Sequence, residues 1–257
     1  MTTTGDAVPN ANVCFEACVA DMASCRAAVE GGAARLELCA SLEVGGLTPS
    51  VGFVLTVHEL FPQVALCALI RPRAGDFVLS ADDLRVCCAD IASLAAAGVG
   101  RVAIGALTAL GEVDEPALAQ LLAVCEANNL DVTFHRAIDA SRNVEAAFDT
   151  VLRYPLVSAI LSSGGMRSAD EGVCMLATMV QKAAGRLDII AAGGVSGDNA
   201  ANIVRVSRVR WLHGSASYPI KSRVPPNGVT FCAAEEGAHR ETAASIVAAI
   251  INAAARS

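Results

Sequence analysis

The chain has 257 residues, of which 54% are hydrophobic, 4% aromatic and 18% charged; that is too apolar for disorder and ample for one large core. Its 19 basic and 26 acidic residues leave a net charge of -7, which argues against a nucleic-acid partner, because such surfaces are basic. No apolar run approaches the roughly 20 residues of a spanning helix, so no membrane partner is expected.

Residues 1–12 form a polar leader without the apolar stretch of a signal peptide and are expected to be flexible. From residue 13 to residue 257, short apolar runs alternate with helically spaced segments. The runs are Val13 to Val19, Arg35 to Cys39, Val64 to Ile70, Arg101 to Gly105, Asp131 to His135, Val157 to Leu161, Leu187 to Ala191 and Val209 to His213. Their starts fall 22, 29, 37, 30, 26, 30 and 22 residues apart. Eight strand–helix units of about 30 residues predict an α/β fold, a single-domain TIM-type (β/α)8 barrel. The runner-up is an open doubly wound sheet. Neither GxGxxG nor GxxxxGK[ST] occurs, so no nucleotide cofactor is predicted. Gly214 to Gly237 reads as a long loop, a lid or a missed short element, and Glu235 to Ala254 as a closing helix. The 10 cysteines contain no CxxC pair. Most read as small core side chains in a reducing cytoplasm.

Strand alternation selects the inward residues. Glu16 and Cys18 share a face of the first strand; Arg35, Glu37 and Cys39 share a face of the second. Two buried carboxylates are costly without compensating cations. Arg71-Pro72-Arg73 follows the third strand and reads either as an anion clamp or as a structural network, with Arg71 on a buried Glu and Arg73 on Asp76. On the fifth, Thr133 and His135 point inward, followed by Arg136 and Asp139. His135 is the best acid–base candidate, against the bland alternative of a neutral hydrogen-bonding histidine. Gly193-Gly194 and His213-Gly214-Ser215 stand at the seventh and eighth strand ends, where barrels hold phosphate. His58 and His239, in helix-like segments, read as surface residues. Cys18 and Cys39, if level on strands about 4.8 Å apart, could bridge one Cu(I), which soft sulfur favours; they could equally be core thiols.

Several blocks carry a resemblance. Phe15-Glu16-Ala17-Cys18-Val19, Gly31 to Cys39, Gly45 to Ser50, Arg71 to Phe77, Gly105 to Thr108 and Thr133 to Asp139 are similar to the CutC family of copper-homeostasis proteins, in register from about Val13 to the final helix. The resemblance implies a TIM barrel, a cytoplasmic location and copper handling, with Cys18 and Cys39 at the positions proposed as Cu(I) ligands in animal members. The mouth residues Glu16, Arg35, Glu37, Arg71, His135 and Arg136 fit the family pattern too. Ala20, Ala74, Ala191-Ala192 and Ser217 depart from it, which weakens an anion site between strands seven and eight.

Two readings follow. In the first, the chain is a copper-homeostasis protein whose metal ligands are Cys18 and Cys39. In the second, it is an enzyme working by acid–base chemistry on a small anionic molecule, phosphorylated or carboxylated. Its catalytic residues would be His135, Glu16 and Glu37; its anion-binding residues Arg71, Arg73, Arg136, Gly193, Gly194, His213 and Ser215; and its supporting residues Arg35, Thr133 and Asp139. A homodimer or homotetramer is expected in either case.

Overall fold

The computed structural model describes residues 13–221 and 238–257. The leader 1–12 and residues 222–237 of the long loop lie outside the described residues. Eight parallel strands close a barrel in chain order: β1 (Cys14–Val19), β2 (Arg35–Leu38), β3 (Ala65–Leu69), β4 (Arg101–Ile104), β5 (Asp131–Phe134), β6 (Val157–Ser162), β7 (Asp188–Ala192) and β8 (Trp211–Gly214). The predicted (β/α)8 architecture is therefore the observed one, and the open sheet is excluded because β8 pairs with β1.

The helices are α1 (Met22–Glu30), α2 (Val51–Leu60), α3 (Ala81–Ala96), α4 (Glu115–Ala127), α5 (Val144–Val151), α6 (Val173–Ala183), α7 (Ala200–Ser207) and α8 (Ala244–Ala254). Side chains that accept orphan backbone N–H groups start five of them: Asp21, Ser50, Ser80, Asp114 and Asn143. Ser80 and Asp83 complete a capping box. Among the described residues, no helix is long and apolar enough to cross a membrane.

The strands divide their side chains between two layers, as the alternation predicts. Phe15, Ala17, Leu36, Leu38, Ile104 and Phe134 face the helices in the main core. The axis holds two separate, smaller clusters: Cys39, Cys67, Leu69 and Ala103 with Cys18 on one side, and Ala159, Leu161, Ile190 and Ala192 with Trp211 on the other.

The C-terminal region differs from expectation. Residues 238–242 do not belong to the last helix. They form β10 (Ala238–Thr242), antiparallel to β9 (Ser217–Lys221), and α8 begins only at Ala244. His239 therefore sits on a strand, whereas His58 is an exposed residue of α2. The reason is where the hydrogen bonds go: Ala243 N donates to Ala216 O and Thr242 Oγ1 to Ser215 O, so the segment is tied to the chain leaving β8.

Candidate active site at the barrel mouth

The strand register brings Glu16 level with Arg35 of β2 on one side and His213 of β8 on the other. Arg35 Nε donates to Glu16 Oε2. His213 Nδ1 lies 2.8 Å from Glu16 Oε1, and its Nε2 lies 3.6 Å from Glu37 Oε2. The Arg35 guanidinium also stacks 4.1 Å over the Trp211 ring. Glu16, Glu37, Arg35 and His213 are all buried.

Their environments pull the two carboxyls apart. Burial works to raise the Glu16 value, but His213 and Arg35 outweigh it and hold Glu16 down at about 2. Burial raises Glu37 above its ordinary range, and the Glu16 charge adds to this against the pull of His213. Burial alone would lower His213; Cys18, Glu37 and Glu16 around the ring instead raise it well above the imidazole range. Two carboxyls of opposite shift thus face one guanidinium and one raised imidazole. Ligand atoms of Glu16, Glu37 and His213 lie within 4.8 Å of one another, a spacing of the kind a cation uses. They are oxygen and nitrogen donors, with Arg35 already on one carboxylate.

This arrangement overturns the two-cysteine copper site. Cys18 pairs in register with Glu37, not with Cys39, so the sulfurs sit on strand positions two residues apart rather than level. The step is about 6.6 Å along the strand, on top of the 4.8 Å between strands. Cys39 turns its Sγ to Glu37, 3.6 Å from the Glu37 carbonyl and from its Oε2. Burial, then Glu37, Cys18 and Cys67, push that thiol well above its ordinary value, which opposes the thiolate a metal needs. The converging donors are carboxylate and imidazole, which do not fit Cu(I) as sulfur would.

His135 follows β5 at the start of a short 3-10 turn, Arg136–Ala140, and is buried. Its Nδ1 accepts from Ala137 N at 3.2 Å, so in the neutral ring the proton sits on Nε2. Burial, with Arg71 acting in the same direction, lowers it to about 4. At neutral pH it is a hydrogen-bond donor rather than a protonated acid. Gly105 makes its place: a Cβ there would come 2.6 Å from His135 Nδ1 and Cε1.

The anion candidates separate clearly. Arg73 is engaged by Asp76, Asp83 and the Val78 carbonyl. Arg136 Nε donates to Asp139 and its Nη2 to Ser163. Asp139 also accepts from Ser162 Oγ and from the amides of Ser163 and Gly165, which pins the loop after β6. Among the described residues Arg71 meets no carboxylate: Nη1 donates to the carbonyls of Val44 and Gly46, and Nη2 to that of Gly75. The expected pairing of Arg71 with a buried Glu is not present among the described residues, whereas the expected Arg73–Asp76 network is. Gly193 and Gly194 take positive φ, 98° and 68°, beside the Arg136 guanidinium and Ser168. Ser215 Oγ bonds Ser217 Oγ, and Thr133 Oγ1 accepts from Arg101.

Two features escaped the sequence reading. His213 was expected to serve an anion, but it bridges two carboxylates. Trp211, on the same strand face, carries Arg35. The signal was available in the Trp211-x-His213 alternation on a last strand that must lie beside Glu16.

A profile of the CutC family matches residues 13–218, which stops short of the final helix. A CutC family protein from Aliivibrio fischeri is 40% identical over 217 residues, covering 84% of this chain and 87% of that protein. A copper homeostasis protein cutC homolog from Caenorhabditis elegans is 37% identical over 216 residues, covering 84% and 85%. The solved structure of CutC from Streptococcus agalactiae superposes with a TM-score of 0.74 at 26% identity, covering 79% of this chain and 98% of that one. Phosphoribosyl anthranilate isomerase from Thermotoga maritima, at 14% identity and a TM-score of 0.58 over 94% and 98%, shares the fold.

Proposed function

The chain belongs to the CutC family, and from that premise we propose that it is an enzyme that moves protons on a small anionic substrate at the C-terminal mouth of the barrel. The observation that carries this reading is the split pair of carboxyls bridged by one imidazole: Glu16 held ionised at about 2, Glu37 raised. A carboxyl lifted toward neutrality by burial can take and return a proton, whereas one kept ionised holds its neighbours in place. Glu37 is the acid–base group. Glu16, locked by Arg35, positions and charges His213. His135 offers its Nε2 proton as a hydrogen bond to an oxygen that gains charge, the role its neutral ring suits. The chain's two lysines are Lys182 and Lys221, and Lys182 lies with Glu145 and Asp149 outside the barrel. Lys221 ends β9, so no barrel strand supplies a Schiff-base lysine.

The nine described cysteines are all free, which supports a reducing cytoplasm. Self-association as a homodimer or homotetramer would use exposed Val51 and Leu55 of α2.

The test is a thermal-shift screen of carboxylated and phosphorylated metabolites, followed by NMR detection of solvent deuterium entering each ligand. We expect Glu37→Gln to bind the ligand and to lose exchange by at least about a hundredfold. Exchange at the wild-type rate in that variant would refute the assignment.

A further inference from the structure

We infer that the substrate's anionic group is a carboxylate and that Arg71 is its anchor; this rests on the acid–base reading above and narrows it. The argument begins with charge. Arg35 and His213 are matched by Glu16 and Glu37, Arg73 by Asp76 and Asp83, and Arg136 by Asp139. Among the described residues, Arg71 is the one of these cations that meets no carboxylate: it faces three backbone carbonyls and the Phe77 ring, although it is 9% exposed. A buried guanidinium without a counter-charge is costly, and a bound anion of one charge removes the imbalance. A dianionic phosphate would reverse it.

Donor arithmetic agrees. A guanidinium has five N–H groups, and three of those on Arg71 are spent on Val44, Gly46 and Gly75. Of the two left, one is on Nε, which is buried and has no partner. Two N–H groups on one guanidinium match the two oxygens of a carboxylate. Size agrees as well. Arg71 lines a recess of about 10 Å³ walled by Phe77, Leu79, Gly105 and His135. That volume holds one oxygen-sized atom. One carboxylate oxygen fits there, and the second oxygen lies at its rim with the rest of the ligand. The recess also sets His135 beside the bound group, where its remaining N–H can meet the neighbouring oxygen of the same substrate.

The experiment is calorimetric titration of the full chain with sodium acetate and, separately, inorganic phosphate at constant ionic strength. We expect saturable acetate binding that is tighter than phosphate. Arg71→Lys keeps the charge but loses the Nε donor, and acetate affinity should fall at least about tenfold, the worth of one charged hydrogen bond. Arg85→Gln, an exposed change on α3, should bind acetate as wild type does. Leu79→Phe, which fills the recess without touching the guanidinium, should lose acetate in the same way as Arg71→Lys and serves if that variant fails to fold. Equal acetate affinity in wild type and Arg71→Lys, or in wild type and Leu79→Phe, overturns the assignment. Phosphate that binds more tightly and is lost in Arg136→Gln overturns the carboxylate while leaving the acid–base reading standing. No saturable binding of acetate overturns the anchor, while the acid–base reading is decided by the exchange measured in Glu37→Gln.

Discussion

Replacing Glu16 by Gln takes one negative charge from a buried cluster and leaves Arg35 and His213 facing Glu37 alone. Its value is lowered from 4.5 to about 2, which corresponds to about 3 kcal/mol of stability at neutral pH. Removing one partner of a buried pair commonly costs about 3–5 kcal/mol, so two independent routes agree. For a chain of this length that is a fall in midpoint of roughly 6–12 °C. The pH dependence is the sharper test. Because the folded value is depressed, the Glu16 contribution is present above the unfolded value of 4.5 and is lost as pH falls through about 2. The gap between wild type and Glu16→Gln should be full at pH 7, drop below about half by pH 3 and vanish near pH 2. Urea unfolding of both proteins at pH 7, 5, 4 and 3 measures it. A difference under about 1 kcal/mol at pH 7, or one that stays constant down to pH 3, would refute the reasoning.

His213 carries the opposite sign. Its raised value means its contribution is complete below the unfolded imidazole value of 6.5 and fades as pH rises through the folded one. Its ring resonances should still report an imidazolium at pH 7.5, and titration at or below 6.5 would contradict the bridge. His135 should instead stay neutral down to about pH 4 in the same spectra. Gly105→Ala drives a methyl into the His135 ring and should cost about 1–3 kcal/mol while shifting the Ala137 amide resonance; an unchanged Ala137 signal would count against the contact. Asp139→Asn removes a full charge from four donors, so hydrogen exchange at Ser163 and Gly165 should quicken by at least about tenfold, and unchanged protection would show the loop to be held by other means.

The barrel was legible because its signals are local. Each run, such as Arg35 to Cys39, is followed by a helical segment before the next run begins, so the closed ring follows from spacing. The inward face was equally legible: Glu16, Glu37 and Arg35 stand where alternation put them. Register was the missing quantity. Alternation tells which side a residue takes but not which neighbour stands opposite, and the Cys18–Cys39 bridge depended on that. The same limit hid His213, whose role is set by a strand almost the whole chain away from Glu16. For Arg71 the composition of its neighbourhood misled in another way. Its partners are backbone carbonyls, which every residue type carries, so no sequence pattern marks them.

The bond between Glu16 and His213 spans 197 residues and lies across the seam where the first strand meets the eighth. A growing chain therefore makes Glu16, Arg35 and Glu37 near the start of synthesis and holds three charged groups without their fourth member until β8 emerges. Long loops must close before that contact can form, which slows the last step of assembly. The completed charge cluster and barrel closure then arrive together. Any fragment that ends before Trp211 lacks both the aromatic platform under Arg35 and the imidazole between the acids.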